Sequence, residues 1–144
     1  MTLVELLVVM AVIGLVVGMS VPAFTGYTQR VRLKAVTRQT MGLVSLARSV
    51  AISSRQAHAV VMDPENGRLS IVNVASGDAL EQTVRLPSSV TLEFEVGGAP
   101  MPETQVVFRP NGSLGGRAIS LVLSDRQRQQ TITISGVTGA VTVQ

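Results

Sequence analysis

The sequence of 144 residues contains no cysteine, a single histidine and 3% aromatic residues. Without cysteine the chain forms neither disulfide bridges nor thiolate metal sites. His58 alone cannot supply a multi-histidine metal site or a histidine-based catalytic triad, and its place between a helix end and a strand is typical of an ordinary interface residue. No helix follows the glycines at Gly112, Gly115 and Gly116, so a phosphate-binding loop is excluded. The sequence therefore predicts no enzyme, no metal site and no cofactor.

Acidic residues are absent between Glu5 and Asp63. That interval holds six basic residues: Arg30, Arg32, Lys34, Arg38, Arg48 and Arg55. From Asp63 onward, eight acidic residues stand against six arginines. This asymmetry predicts a basic stem joined to a mildly acidic domain.

A run of nineteen residues without charge extends from Leu6 to Phe24. About 20 helical residues cross a hydrocarbon core of about 30 Å. No basic residue precedes the run, which disfavours a secretory signal peptide. Two interpretations remain: a plain anchor with Glu5 in the headgroup region, or a span in which Glu5 has a specific partner. The second has a physical motive, because an unpaired carboxylate at the edge of an apolar span costs about 2–3 kcal/mol.

The first nine residues read MTLVELLVV, with Glu5 in fifth place. This segment closely resembles the processed N-terminus of type IV pilins and type II secretion pseudopilins. The resemblance implies that a prepilin peptidase removes a leader and methylates the new first residue, here Met1 where Phe is usual. It also implies that the α-amino group of one subunit meets Glu5 of the next during filament assembly. Burying such a pair gives specificity for one arrangement more than net stability.

Gly14, Gly18 and Pro22 interrupt the apolar run. Proline removes a backbone donor, and glycine weakens helix propensity by about 1 kcal/mol. The resemblance implies that the stretch from Gly14 to Pro22 loses helical structure on polymerisation. A static kink in a membrane helix is the alternative.

Beyond Phe24 the pattern of apolar residues predicts that the helix continues to about Ser54, with one face against a globular part and the basic side chains on the other. The residues of the predicted inner face recur at steps of three and four: Leu33, Val36, Thr40, Leu43, Val44, Ala47 and Ala51. From His58 the period changes to two, and turn signals separate eight short segments. The predicted strands are His58–Asp63, Arg68–Val74, Leu80–Leu86, Val90–Val96, Gln105–Arg109, Ala118–Ser124, Thr131–Ser135 and Ala140–Val143.

The predicted fold class is α+β, with a long N-terminal helix packed against antiparallel β-sheets, as in pilins. Residues 1–24 form the membrane-spanning and polymerisation segment, residues 25–56 the amphipathic half of the same helix, and residues 57–144 a β-rich head.

Three motifs in the second half resemble the branch of minor pseudopilin H and FimT-like pilins. They are SLARSVAI at Ser45–Ile52, VVFRPNG at Val106–Gly112 and ITISGVTGAV at Ile132–Val141. The cysteine-bounded loop of many major pilins is absent, and no acidic loop resembles the calcium site of the major pseudopilin.

The segment Asp125-Arg126-Gln127-Arg128 carries an alternative function. Two arginines on a hairpin tip could contact phosphates, and some FimT-like pilins involved in DNA uptake have Gly-Arg-x-Arg in the matching region. Asp125 replaces that glycine and adds a repelling charge, and no aromatic residues are interleaved to stack bases. A solvated turn is the competing interpretation of Arg126 and Arg128.

The resemblance predicts a structural subunit of a type IV pilus or a type II secretion pseudopilus. The subunit would reside in the bacterial inner membrane with its head in the periplasm, and then enter a periplasmic or extracellular filament. Expected partners are copies of itself, other pilin-like subunits, the prepilin peptidase and N-methyltransferase, and an assembly platform.

Overall fold

The computed structural model describes residues 2–144, apart from the side chains of residues 19–29. One helix, α1, extends from Leu3 to Ser54. It ends because Arg55 adopts a left-handed conformation with φ of 54°, a common way to terminate a helix. The predicted continuation of the helix to about Ser54 is confirmed.

The chain divides between Arg32 and Leu33 into two compact units. We call residues 2–32 the N-terminal unit and residues 33–144 the head unit. Within the described residues, no helical stretch combines the length and the apolar character of a membrane span. The predicted span continues into residues 19–24, whose side chains lie outside the described part.

The head unit contains nine strands, all paired in antiparallel fashion. They are β1 His58–Asp63, β2 Arg68–Asn73, β3 Ala79–Arg85, β4 Thr91–Val96, β5 Ala99–Pro100, β6 Gln105–Phe108, β7 Ile119–Ser124, β8 Gln129–Ile134 and β9 Val141–Val143. The strand order is β3-β2-β1-β6 in one sheet and β5-β4-β7-β8-β9 in the other. All eight predicted strands are present within two residues of their predicted bounds. The very short strand β5 lies in a segment predicted as a loop.

The core lies between the inner face of α1 and the two sheets. All seven positions predicted for the inner face of the helix are buried, which confirms the helical pattern. From the sheets, the fully buried side chains include Leu69, Ile71, Phe108 and Leu121. Aliphatic residues dominate this core, as the scarcity of aromatics requires. The α+β fold is therefore confirmed, with antiparallel sheets packed on the second half of the helix.

Candidate assembly site

The N-terminus of α1 is closed by a reciprocal pair of hydrogen bonds between Thr2 and Glu5. The backbone N–H of Thr2 donates to Oε2 of Glu5 over 3.2 Å, and the backbone N–H of Glu5 donates to Oγ1 of Thr2 over 3.4 Å. This arrangement is a capping box, which satisfies two of the four backbone donors left free at a helix start. The sequence signal of this box is Thr-x-x-Glu before an apolar run, and the capping role of Glu5 was not predicted from it.

The Glu5 side chain is solvent-exposed, and it lies beside a shallow groove of about 260 Å³. Four apolar side chains line this groove: Leu6, Val9, Met10 and Ile13. The carboxylate thus stands at the edge of an apolar strip, available to an additional cation. Met1, the predicted site of processing and the predicted donor of the amine, lies outside the described residues.

Helix α1 is continuous through Gly14, Gly18 and Pro22. A Cβ atom added at either glycine would meet no atom within 4 Å, so neither glycine is required by close packing in this chain. The Pro22 side chain lies outside the described residues. Loss of helical structure in this stretch concerns the assembled state and stays a prediction.

The β7–β8 turn holds Arg126 and Arg128 on an exposed tip. Asp125 builds this turn: its Oδ1 accepts hydrogen bonds from the backbone N–H groups of Gln127 and Arg128, over 2.8 and 2.7 Å. Asp125 is therefore a structural residue of the turn, and it places a negative charge in the same four-residue segment as both arginines. The geometry gives the DNA-binding alternative no additional support.

His58 is buried at the start of β1, and its Nδ1 lies 3.0 Å from the backbone carbonyl of Gln56. Because a carbonyl oxygen only accepts hydrogen bonds, Nδ1 is the donor in this contact. Among the described residues, no group of three or more potential ligands could hold a metal ion. This arrangement is that of a packed histidine at the junction of helix and strand.

The three motifs Ser45–Ile52, Val106–Gly112 and Ile132–Val141 meet around the side chain of Arg48. This meeting was not predicted from the sequence. The β6–β7 loop (residues 109–118) and the β8–β9 turn (residues 135–140) approach so closely that a Cβ at Gly139 would overlap the carbonyl oxygen of Gly112. The same Cβ would lie 2.9 Å from Nε of Arg48, and one at Gly112 would lie 3.3 Å from it. Glycine is thus required for this junction, and the motifs are explained as packing partners.

The comparisons agree with this architecture. The family model described as type II transport protein GspH matches residues 36–139. The match covers the first two head motifs and the third as far as Gly139, and it begins after the N-terminal unit. No curated protein sequence matches the chain.

The solved structures with a similar fold include a minor pilin and a minor pseudopilin. The type IV minor pilin FimU of Pseudomonas aeruginosa is 18% identical, with a TM-score of 0.61 over 82% of this chain and 92% of that one. The minor pseudopilin EpsH from the type 2 secretion system of Vibrio cholerae is 18% identical, with a TM-score of 0.58 over 78% of this chain and 96% of that one. At such identity the likeness establishes the fold. Together with the family match, it confirms the predicted resemblance to the branch of minor pseudopilin H.

Proposed function

Because the chain belongs to the family of type II transport protein GspH, within the superfamily of pilins and pseudopilins, we propose that it enters a type IV pilus or type II secretion pseudopilus through its N-terminal helix. Proteins of this family are structural subunits that assemble with other pilin-like subunits. In the proposal, residues 1–24 anchor the chain in the bacterial inner membrane and later form the apolar interior of the filament. Residues 25–56 connect this segment to a periplasmic head of residues 57–144.

The observation that carries the proposal is the exposed apolar surface of the N-terminal unit. Leu3 is 78% exposed and Leu15 is 64% exposed, and every described residue from 6 to 17 other than glycine is apolar. A helix that is apolar on all sides is stable when lipid or other helices surround it. The single acidic residue at its start, Glu5, then has a role in setting register with a neighbour.

The proposal includes processing and partners implied by the N-terminal motif. A prepilin peptidase and N-methyltransferase would produce a methylated Met1, whose amine binds Glu5 of an adjacent subunit. An assembly platform would extract the subunit from the membrane. Mass spectrometry of the N-terminal peptide from purified filaments tests the processing step: the expected species begins at Met1 and carries one additional methyl group. A peptide that begins elsewhere would contradict it.

The capping box makes a sharp test of Glu5 possible. Glu5→Gln retains an oxygen that can accept the hydrogen bond from Thr2 but removes the charge, whereas Thr2→Ala removes the partner hydroxyl and leaves the charge. If Glu5 binds a neighbour's amine, Glu5→Gln abolishes incorporation into filaments while membrane insertion persists, and Thr2→Ala has a small effect. Sheared filaments and membranes are assayed separately for the chain.

Glu81→Ala is the matched control, since Glu81 is an exposed acid on β3 of the head unit. It should assemble as the unmodified chain does. Normal assembly of Glu5→Gln would restrict Glu5 to helix capping and refute its role in register. A chain that inserts into membranes but never enters filaments would refute the proposed function itself.

A further inference from the structure

Charged side chains are distributed unevenly on the two sides of the apolar run in α1. Glu5 is the only charged side chain before Arg30. Beyond the run, four basic residues follow within nine positions, without an acidic residue among them: Arg30, Arg32, Lys34 and Arg38. We call residues 30–38 the basic segment. It flanks the proposed membrane anchor, residues 1–24, on the side of the head.

The residues between the apolar run and the basic segment follow the order of a membrane interface. Tyr27, the single tyrosine of the chain, stands between Phe24 and Arg30. Tyrosine is enriched where a membrane helix leaves the hydrocarbon core, and basic side chains near helix ends extend towards the headgroups. The order of apolar residues, tyrosine and cations therefore continues the proposed membrane contact beyond Phe24.

The first two arginines lie within reach of lipid headgroups when the span ends at Phe24. Helix α1 is continuous here, so at 1.5 Å per residue Arg30 and Arg32 are about 9 and 12 Å beyond Phe24 along the helix axis. The headgroup layer is about 5–8 Å thick on each side of the bilayer. The field of a negative surface extends about 8 Å further at physiological salt. Lys34 and Arg38 follow within six residues of Arg32 in the sequence.

The four cations are available to an anion outside the chain. Each of these side chains is exposed. No carboxylate forms an ion pair with any of them within the part of the chain that the structure describes. Lys34 and Arg38 are four residues apart on the helix, a spacing at which like charges destabilise it. An external anion would relieve this repulsion.

The composition of the basic segment favours a lipid surface over a protein or a nucleic acid. Protein interfaces are enriched in aromatic residues, and surfaces for single-stranded nucleic acids stack bases on them. The basic segment contains no aromatic residue. An anionic lipid surface attracts each cation separately, because fluid headgroups move to the charge and no fixed arrangement of side chains is needed.

Basic residues on this side of the span run against the usual distribution. Cytoplasmic flanks of membrane helices carry an excess of lysine and arginine, counted within about 15–20 residues of the span. In the proposed function the basic segment lies on the opposite side, with the head. Four cations at this disfavoured position indicate a use there, and their place beside the span makes headgroups their nearest anions.

We propose that the basic segment binds anionic phospholipid headgroups at the membrane surface on the side of the head, before the subunit enters the filament. This inference rests on the membrane anchoring in the proposed function and adds a class of lipid to it. The contacts are lost when the subunit leaves the membrane, so they add to the free energy that extraction requires.

The absence of cysteine permits a single probe in the full chain. Ala35→Cys places a fluorescent donor at an exposed position inside the basic segment. The labelled chain is reconstituted in vesicles of phosphatidylcholine and phosphatidylglycerol in equal parts, with a trace of acceptor on the acyl chains of one lipid or the other. Energy transfer to phosphatidylglycerol should exceed transfer to phosphatidylcholine. Salt at about 1 M, where the Debye length is about 3 Å, should remove the difference.

Two variants test the charge of the segment. One basic residue at an anionic surface contributes about a fivefold preference, equivalent to about 1 kcal/mol. Replacement of all four cations by glutamine should therefore reduce the preference for phosphatidylglycerol by about fivefold or more. Replacement of the three arginines by lysine keeps the charge and should keep the preference. Retention in the lysine variant separates attraction by charge from an effect on the fold.

The matched control neutralises four exposed arginines of the head by glutamine: Arg109, Arg117, Arg126 and Arg128. It changes the net charge of the chain by the same amount as the glutamine variant of the basic segment. It should leave the lipid preference unchanged, because these arginines are distant in sequence from the span.

The outcomes separate lipid binding from the proposed function. Equal transfer to both lipids, an unchanged preference in the glutamine variant, or an equal loss in the head control would overturn lipid binding. Equal transfer together with photo-cross-linking from position 35 to another protein in cells would assign the segment to a protein interface instead.

A chain that enters filaments but shows no lipid preference would leave the filament function intact. A chain that shows the preference but never enters filaments would refute the filament function and support lipid binding. A chain that high salt releases from vesicles of phosphatidylcholine alone would refute the anchor, and both proposals with it.

Discussion

The two parts of helix α1 differ in how their apolar residues are arranged and in what surrounds them. In the N-terminal unit Leu3 is 78% exposed, whereas in the head unit Leu33 is 3% exposed. The second part alternates apolar and polar residues at helical spacing and has sheets to pack against. The first part is apolar on all sides, so packing a single face against a sheet would leave its other apolar side chains exposed. The sequence of a helix therefore determines how much apolar surface must be buried. Whether the chain buries that surface by itself depends on whether its own sheets pack against the helix.

The test with the largest expected effect replaces one leucine in the head unit and one in the N-terminal unit. Leu43→Ala removes a buried side chain from the core and should lower the free energy of unfolding of the head by about 3 kcal/mol. Leu7 is 60% exposed, so Leu7→Ala should change that free energy by less than about 0.5 kcal/mol. Urea unfolding of the detergent-solubilised chain, followed by circular dichroism of the β signal, measures both. Equal destabilisation by the two variants would contradict the separation into two units.

A second test measures how closely the head is packed at the junction of Gly139 and Gly112. Gly139 and Gly77 both have positive φ, at 66° and 77°, but only Gly139 lies against other atoms. Gly77→Ala should cost about 1 kcal/mol from backbone conformation alone. Gly139→Ala adds the overlap with the Gly112 carbonyl and should cost about 2–3 kcal/mol. Thermal unfolding of the two variants measures the difference, and similar costs would mean that the junction at Arg48 yields easily.

The smallest test uses two helical glycines in open surroundings. No atom lies within 4 Å of a Cβ added at Gly42 or at Gly14. Gly42→Ala should stabilise the head by about 1 kcal/mol, because alanine has the higher helix propensity. Gly14→Ala should leave the stability of the head unchanged but reduce filament yield, if the helix unfolds there on assembly as the resemblance to pilins implies. Unchanged yield of Gly14→Ala filaments would argue against a role for this glycine in helix melting.

Local patterns predicted most of the fold. The inner face of α1 was predicted from spacing, because a single buried stripe repeats at 3.6 residues wherever the partner lies. The strand bounds followed from alternation and from turn residues such as Pro64 and Gly67. Strand β5 was missed because a pair of residues, Ala99–Pro100, has no period to detect.

Long-range pairings could not be predicted in the same way. Strand β6 pairs with β1 and strand β4 with β7, so the sheet order is not a simple meander. Local sequence carries no signal for such choices, since each strand offers similar apolar faces. For the same reason the convergence of Arg48, Gly112 and Gly139 required the structure. The capping role of Glu5, by contrast, has a local sequence signal, Thr-x-x-Glu, and was therefore predictable from the sequence.

The Thr2–Glu5 capping box gives the proposed assembly step a kinetic property. Its two side-chain bonds are long, at 3.2 and 3.4 Å, and exposed, so water replaces them at small cost. The carboxylate therefore has a weak partner before it meets a neighbour's amine and recovers that partner when the neighbour leaves. A carboxylate that always has a hydrogen-bond donor or a cation beside it avoids most of the desolvation penalty of an unpaired charge. In the proposed filament, this alternation of partners lowers the barrier equally for addition and for removal of a subunit.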